Sequence, residues 1–200
     1  TTFTDASIGG AHGNATANGN AQVDTAQSVF GGASYLGDGT GDYLSYADHA
    51  DWNLGASEFA IDFRVRWPTV ALSNFIGQWG STTDLGWLIQ FQSNLLIFYW
   101  TTDGTVGTVG NVFDAWIPSA NTWYHVAVER DVDTVRGFVN GAQIFSGSMA
   151  GVTVHNSARE LSIGSGTSAE NPHNGWFDEW RITKGIARWR GAFTPPTEAY

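Results

Sequence analysis

Apolar and polar residues alternate with a period of two in several parts of the chain, most clearly over residues 59–67. One face of this segment is apolar and consists of Phe59, Ile61, Phe63, Val65 and Trp67. The opposite face carries Ala60, Asp62, Arg64 and Arg66, and Pro68 follows. Because side chains of a strand point alternately to two faces and proline cannot continue a ladder, the pattern predicts a half-buried strand that ends at Pro68.

Shorter apolar segments separated by Gly, Asn and Asp recur along the rest of the chain. The Gly/Asp-rich turn 37–41 predicts a hairpin over 35–46, and Asn140-Gly141 is typical of a type I′ hairpin turn. Residues 48–53 indicate a short helical turn, and 105–121 an irregular stretch. Further strands are predicted at residues 21–23, 28–30, 74–79, 86–92, 94–100, 123–130, 134–140, 142–145, 160–164 and 176–183. This succession predicts an all-β, two-sheet antiparallel β-sandwich of the jelly-roll kind.

Four segments, 35–46, 59–67, 123–141 and 161–196, carry a family resemblance through their order and spacing. The third contains Trp-Tyr-His-Val-Ala-Val-Glu-Arg-Asp, and the last contains Gly-Trp-Phe-Asp-Glu-Trp-Arg-Ile-Thr. In these features the chain resembles laminin G-like, concanavalin A-like lectin/glucanase domains, especially those of phage and bacterial surface proteins. The resemblance implies one jelly-roll domain over residues 1–200, within a longer or processed chain, that binds glycans or proteins.

The start of the chain departs from this family pattern. Relatives usually begin with an apolar strand before the segment that corresponds to Thr1–Asp5, and that strand is absent here. The resemblance therefore implies an open sheet edge, and unpaired edge groups can accept a strand from another chain. A protein partner, or a homo-oligomer formed through this edge, is one expectation.

The composition favours some partners over others. Nineteen acidic residues against nine Lys and Arg give a net charge of -10, which disfavours nucleic acid and anionic membranes. No apolar run approaches the ~20 residues that cross a bilayer, so no membrane insertion is expected. The chain has no cysteine, which excludes disulfides and thiolate chemistry. Ten tryptophans suit both sheet packing and stacking on sugar rings.

Catalytic patterns are missing from the sequence, so we predict that the chain is not an enzyme. Polysaccharide-cleaving members of this fold use carboxylates at alternating positions of one strand, and Asp62 stands alone on its strand. Asp178 and Glu179 are adjacent and would point to opposite faces. The five histidines are scattered, and His125 fits a packed strand residue better than a catalytic base.

Carbohydrate binding would use exposed aromatic rings together with hydrogen-bonding side chains from nearby loops. The alternative for each tryptophan is packing in the core, which we expect for Trp67, Trp123, Trp176 and Trp180. The predicted carbohydrate-binding residues are Trp79, Asp84, Trp87, Trp100, Trp116, Asn171 and Asn174.

Calcium is the one cofactor that the residues suggest, because Asp/Gly turns offer carboxylate and carbonyl oxygens. The family resemblance implies a structural Ca²⁺ between an N-terminal turn and the last strand, with Asp38 and Asp178 as ligands. The alternative is that Asp38 caps its own turn and Asp178 pairs with Arg181 or a backbone amide. A second ion held by the loop 164–174 is a weaker alternative to a solvated loop.

Together these features predict a non-catalytic glycan-binding or adhesion module, and the family resemblance implies that it belongs to a phage virion or bacterial surface protein. Its setting would be extracellular, on a cell surface or on a virion. One alternative is a virion assembly or decoration protein that makes protein–protein contacts. Another is the catalytic domain, or a carbohydrate-binding appendage, of a polysaccharide-degrading enzyme.

Overall fold

The computed structural model describes residues 2–4, 6 and 12–200. Within these residues no helix is long and apolar enough to cross a membrane, and the two helices present are short 3₁₀ turns, Ala50–Trp52 and Val106–Thr108. The strands in chain order are β1 (Thr16–Asn18), β2 (Gln22–Asp24), β3 (Ser34–Asp38), β4 (Tyr43–Tyr46), β5 (Phe59–Arg66), β6 (Ser73–Gly77), β7 (Trp87–Gln92), β8 (Leu95–Trp100), β9 (Gly110–Ala115), β10 (Tyr124–Asp131), β11 (Thr134–Val139), β12 (Ala142–Ser148), β13 (Leu161–Ile163) and β14 (Asn174–Lys184).

The strands form two antiparallel sheets of seven strands each. The first sheet has the order β1-β4-β13-β6-β7-β8-β9, and the second has the order β12-β11-β10-β5-β14-β3-β2. Many neighbours in a sheet are distant in sequence, as in jelly rolls, because the chain crosses repeatedly between the two layers. The arrangement confirms the predicted all-β, two-sheet antiparallel sandwich.

The inner faces of the two sheets meet in an aromatic core. The ring of Phe63 on β5 lies 5.3 Å from Phe75 of the first sheet and 5.6 Å from Phe177 on β14. Trp67, directly after β5, lies 5.5 Å from Trp116. These rings meet at tilted or edge-to-face angles, which the charge distribution of aromatic rings favours. The apolar face of residues 59–67 therefore packs into the core, as the alternation predicts.

The hairpin predicted over residues 35–46 is wrong, although both of its strands exist. β3 belongs to the second sheet and β4 to the first, so the turn between them carries the chain across the sandwich. Asp42 is buried in this turn, and its carboxylate accepts the backbone N–H groups of Asn20 and Asp38 at 2.8 and 2.9 Å. A Gly/Asp signal predicts a chain reversal, but it does not say whether the two strands pair.

The turn at Asn140-Gly141 behaves as predicted. Both residues have positive φ, 49° and 78°, and they connect β11 to β12. A type I′ turn requires this conformation at its two central positions, and Asn and Gly adopt it at low cost. The structure confirms this hairpin and the helical turn predicted at 48–53.

Three elements differ from the predictions. β1 was not predicted, and β9 falls in the stretch interpreted as irregular; both lie at edges of the first sheet. Residues 28–30, predicted as a strand, form a bend instead. The backbone N–H groups of Val29 and Phe30 donate to the Asp178 carboxylate at 2.7 and 3.1 Å, so side-chain oxygens replace a sheet partner.

Residues 185–200, here called the C-terminal segment, cover the outer face of the second sheet. The rings of Trp189 and Phe193 stack at 4.5 Å and pack edge-on against Phe138 of β11. Two successive backbone amides, at 189 and 190, donate to the buried Glu129 carboxylate at 2.8 and 2.6 Å. The polar face predicted for β5 is therefore covered, and Asp62 is fully buried.

A bulge in β14 decides which charges meet beneath this segment. Asp178 of β14 pairs in register with Arg64 of β5, and Arg181 of β14 pairs with Asp62 of β5. The two positions are three residues apart on β14 but two residues apart on β5, so β14 contains one extra residue. Glu179 has a φ of 51°, which marks the extra residue. The bulge brings Arg181 onto the face of Asp62, where its guanidinium donates two hydrogen bonds of 3.0 Å to the carboxylate.

Candidate functional site

Three of the tryptophans predicted to bind carbohydrate lie in the core. The exposed fractions of Trp87, Trp100 and Trp116 are 0%, 7% and 7%. The Trp87 indole donates to the Trp52 carbonyl at 3.0 Å, and the Trp116 ring packs on Trp67. A sugar cannot stack on rings whose faces are buried, so the assignment of these three tryptophans to a sugar site is wrong.

Trp79, the fourth predicted tryptophan, lies at the surface after β6 and is half-buried. Its ring centroid is 5.8 Å from that of Tyr99 on β8, and the two rings are inclined at 39°. The Trp79 carbonyl accepts hydrogen bonds from the backbone N–H and the hydroxyl of Thr167, at 2.8 and 3.0 Å. The two rings form an aromatic pair that is fixed to the loop after β13.

A small cleft, with a volume of about 180 Å³, is lined by Arg159, Glu160, Thr167 and Ser168, and Thr167 links it to the Trp79 carbonyl. The Arg159 guanidinium donates to the Thr167 hydroxyl at 3.0 Å and twice to the Thr83 carbonyl, at 3.1 and 2.8 Å. Its planar group therefore ties two loops together at the rim of the cleft. This fixes a cation and a hydroxyl beside the aromatic pair.

Tyr43 of β4 is hydrogen-bonded to Glu160, one of the residues that line the cleft. Partial burial raises the pKa of the Tyr43 hydroxyl, and the negative charge of Glu160, to which the hydroxyl is hydrogen-bonded, raises it further. The phenol therefore stays protonated at neutral pH and can donate a hydrogen bond. Together the surface contains three aromatic residues, an arginine, a carboxylate and several hydroxyls. We call it the Trp79 surface, and it consists of Trp79, Tyr99, Tyr43, Arg159, Glu160, Thr167 and Ser168.

Asp84 supports the loop next to this surface. Its carboxylate lies 3.0 Å from Nε2 of His155 and accepts the backbone N–H of Ala158 at 3.1 Å. Its φ of 56° lies in the left-handed region, which Asp tolerates better than most residues. The structure thus gives Asp84 a bracing contact beside Thr83, whose carbonyl Arg159 binds.

The two predicted asparagines lie apart from each other. The carbonyl of Asn171 accepts the backbone N–H of Asn74 at 3.0 Å, so this loop packs across β6 of the first sheet. Asn174 begins β14 in the second sheet and pairs in register with Asp38. Their side chains are exposed, and the fully buried His173 lies between them in the chain. Of the residues predicted for a sugar site, the structure places Trp79 and Asp84 at one surface.

Asp38 and Asp178, predicted as ligands of one calcium ion, lie too far apart to share it. Asp38 pairs with Asn174, which is four residues before Asp178 on the same strand, or roughly 13 Å at the usual rise per residue. Their carboxylates also have other partners: Asp38 accepts the N–H of Thr40 at 2.7 Å, and Asp178 accepts those of residues 29 and 30. Their assignment to one ion is therefore wrong, and the alternative of backbone capping is confirmed for both.

A second cavity, of about 400 Å³, lies beneath the C-terminal segment and is lined by Arg181, Ile186, Ala187, Arg188, Trp189 and Pro196. It is less suited to a sugar, because one face of the Trp189 ring is already covered by Phe193. The Arg181 guanidinium is bound to Asp62. His125 also reaches Asp62, at 3.1 Å, but both side chains are fully buried, so this His–Asp pair faces no substrate.

The sequence comparison identifies the family. The chain belongs to the concanavalin A-like lectin/glucanases superfamily, whose laminin G-type model matches residues 38–187. A search of curated proteins found no match.

Solved structures share the fold at low sequence identity. The binding domain of botulinum neurotoxin serotype G matches with a TM-score of 0.66 and 14% identity, over 88% of this chain and 44% of that chain. Domain 4 of AbnA, an extracellular arabinanase of Geobacillus stearothermophilus in complex with arabinotriose, matches with a TM-score of 0.62 and 16% identity, over 86% and 83%. The binding domain of botulinum neurotoxin DC in complex with SialylT matches with a TM-score of 0.59 and 17% identity, over 84% and 42%. The chain thus spans less than half of the toxin domains.

Tyr99, Arg159 and Thr167 were missed by the sequence analysis. The signal for Tyr99 was present, because strict alternation in β8 places it opposite the face of Phe98 and Trp100. The same alternation argues that Trp100 points into the core. The contacts of Arg159 and Thr167 lie in loops, and no periodicity predicts which loops meet.

Proposed function

We propose that the protein is a non-catalytic, glycan-binding module of an extracellular protein, and that the Trp79 surface binds the sugar. The Trp79–Tyr99 pair carries the proposal, because half-buried rings held 5.8 Å apart offer apolar faces to a pyranose ring. Arg159, Glu160 and the nearby hydroxyls supply donors and acceptors for sugar hydroxyls.

The comparisons support the same class of ligand. Two of the structures named above were determined in complex with arabinotriose or with SialylT. One is domain 4 of an extracellular arabinanase, and the other is the binding domain of a neurotoxin. Attachment to a phage virion or to a bacterial surface would suit such a module, as the family resemblance implies.

The first test is a glycan array followed by calorimetry with the best glycan. Trp79→Ala is expected to weaken binding by roughly 10- to 100-fold, because a buried aromatic anchor commonly contributes about 1.4–3 kcal/mol to an interface. Tyr99→Ala should weaken binding less, since it removes one ring of the pair and leaves the other.

Trp176→Ala is the matched control. Trp176 is also half-buried, but it lies on β14 of the second sheet, where Arg66 stacks on its ring at 4.7 Å. This variant should bind glycan as the unchanged protein does. If Trp79→Ala also binds with unchanged affinity while folding normally, the sugar site lies elsewhere and the assignment of the Trp79 surface is refuted.

Protein–protein contact is the second candidate function, and exposed apolar side chains at one sheet edge favour it. Phe113 on the edge strand β9 is 53% exposed, and Ile117, just beyond it, is 79% exposed. Edge strands with apolar side chains readily pair with other chains. This function is favoured over glycan binding if the glycan array shows no binding and the protein forms a concentration-dependent oligomer. Phe113→Lys should then convert the oligomer to monomer.

Calcium binding stays a prediction, but Asp38 and Asp178 do not share the ion. If millimolar Ca²⁺ raises the unfolding temperature above its value in excess EDTA, we expect Asp178→Asn to show the same rise. The reason is that the Asp178 oxygens already accept backbone N–H groups at 2.7 and 3.1 Å. Thermal unfolding of both proteins under both conditions measures this. A rise that occurs in the unchanged protein and vanishes in the variant would restore Asp178 as a ligand.

A further inference from the structure

Two histidines and an aspartate converge at the first 3₁₀ turn, and none of the three belongs to the Trp79 surface. His12 Nε2 lies 2.8 Å from Oδ2 of Asp51, and His49 Nδ1 lies 3.3 Å from the same oxygen. The three ligand atoms all lie within 4.8 Å of one another. Among the residues that the structure describes, this is the one group of three or more such side chains with this spacing.

The spacing of these atoms fits a small metal ion. Zinc binds imidazole nitrogen and carboxylate oxygen at about 2.0–2.2 Å, so tetrahedral ligands lie about 3.3 Å from one another. The two nitrogen–oxygen distances, 2.8 and 3.3 Å, are close to that value before any ion is present. Small side-chain rotations would therefore complete three corners of a tetrahedron.

Neighbouring contacts hold two of the three groups in place. The backbone N–H of Asp51 donates to Nδ1 of His49 at 3.2 Å, so this nitrogen carries a lone pair and not a proton. A bound ion would replace this N–H as the partner of the lone pair. The Trp52 ring packs 4.5 Å from the His12 ring and 6.1 Å from the His49 ring. Trp52 is itself fixed, because its indole donates to the Ala47 carbonyl and its carbonyl accepts from Trp87.

We propose that His12, His49 and Asp51 form a binding site for a divalent transition metal ion, with Zn²⁺ as the best fit and water as the remaining ligand. Two imidazoles and one carboxylate are typical ligands of zinc and its neighbours, whereas Ca²⁺ takes oxygen ligands. A bound ion would fasten the segment before β1 to the 3₁₀ turn. This link would not depend on any bound sugar.

One cation opposes binding and provides a second test. The Lys184 ammonium donates to the Ala50 carbonyl at 2.8 Å, one residue from Asp51. Like charges repel at this range, although solvent screens the effect at an exposed position. Lys184→Met is therefore expected to tighten zinc binding by a few-fold.

Calorimetric titration of the EDTA-treated, tag-free chain with ZnCl₂ tests the proposal. We expect one Zn²⁺ per chain, no heat from CaCl₂ at this site, and at least tenfold weaker binding in His49→Gln and in Asp51→Asn. Both side chains are about half exposed, 50% for His49 and 53% for Asp51, so these variants should fold normally. Circular dichroism checks the fold of each variant.

His155→Gln is the matched control, because His155 also contacts an aspartate, Asp84, at 3.0 Å but has no place in a three-ligand group. It should leave the zinc affinity unchanged. Zinc binding that is equally strong in His49→Gln and Asp51→Asn would place the ion elsewhere and overturn the site. So would the absence of zinc binding by the unchanged chain at millimolar concentrations.

Discussion

Asp62→Ala is expected to lower the free energy of unfolding by about 3–4 kcal/mol, because it leaves the Arg181 charge and the buried His125 ring without their partner. The Asp62 carboxylate is fully buried and binds Arg181 through two hydrogen bonds of 3.0 Å. It also contacts Nε2 of His125 at 3.1 Å and accepts the Tyr200 hydroxyl. Urea denaturation at pH 7 measures the loss.

The effect should exceed that of an ordinary surface ion pair for a physical reason. Burial alone raises the pKa of Asp62, but hydrogen bonds from His125, Arg181 and Tyr200 outweigh it, and the pKa is lowered. The carboxylate is therefore charged in the folded protein at neutral pH. This contribution to stability is present above the unfolded pKa near 3.9 and is lost as pH falls through the lower folded value.

Two further variants separate charge from shape. Asp62→Asn keeps the side-chain size and can still accept hydrogen bonds, so about half of the loss should remain. Asp114→Ala, an exposed position on β9, should change the free energy of unfolding by less than about 0.5 kcal/mol. If Asp62→Ala lowers the free energy of unfolding by less than about 1 kcal/mol, water replaces the carboxylate. That result would contradict the conclusion that the C-terminal segment shields the Asp62 cluster from water.

The same cluster shows where prediction from the sequence stops. The alternation over residues 59–67 correctly predicts β5 and its inward face, because period two is a local property of a strand. It also predicts that Asp62 faces outward, which is true of the sheet but not of the whole molecule. The partners of Asp62 are 119 and 138 residues away in the chain, at Arg181 and Tyr200. Only the bulge in β14 and the course of the C-terminal segment bring them together.

The candidate sugar site divides in the same way. Its aromatic anchor could be found from the sequence, since Trp79 stands at the end of a predicted strand beside a polar loop. Alternation also tells the inward Trp100 from the outward Tyr99 on β8. The position of Arg159 depends on hydrogen bonds to two loops, through Thr83 and Thr167, and such loop contacts have no local signature.

Acid is expected to destabilise the protein through His173, by up to about 5 kcal/mol between pH 6.5 and pH 3. Burial lowers the pKa of His173 from 6.5 to about 3, because a charged imidazolium would lose its hydration among the surrounding rings. The Phe177 ring lies 4.4 Å away and the Trp67 ring 5.4 Å away. Nε2 lies 3.2 Å from the Arg66 carbonyl, an acceptor only, so the neutral ring carries its proton there.

The sign of this dependence follows from which state takes up the proton. Below pH 6.5 the unfolded chain protonates His173, whereas the folded protein leaves it neutral until about pH 3. The unfolded state therefore gains stability as the pH falls, and the free energy of unfolding is largest above pH 6.5. Urea denaturation at a series of pH values gives the slope, and carboxylates add to it mainly below pH 5.

His173→Gln is expected to flatten this slope between pH 6.5 and pH 5, whatever its effect on stability at pH 7, because the variant has nothing to titrate there. His49→Gln, measured in EDTA, is the matched control, because it removes a half-exposed imidazole and leaves the buried one in place. If His173→Gln retains the full slope, the ring is protonated in the folded protein. That result would refute the conclusion that the buried His173 is neutral in the folded protein.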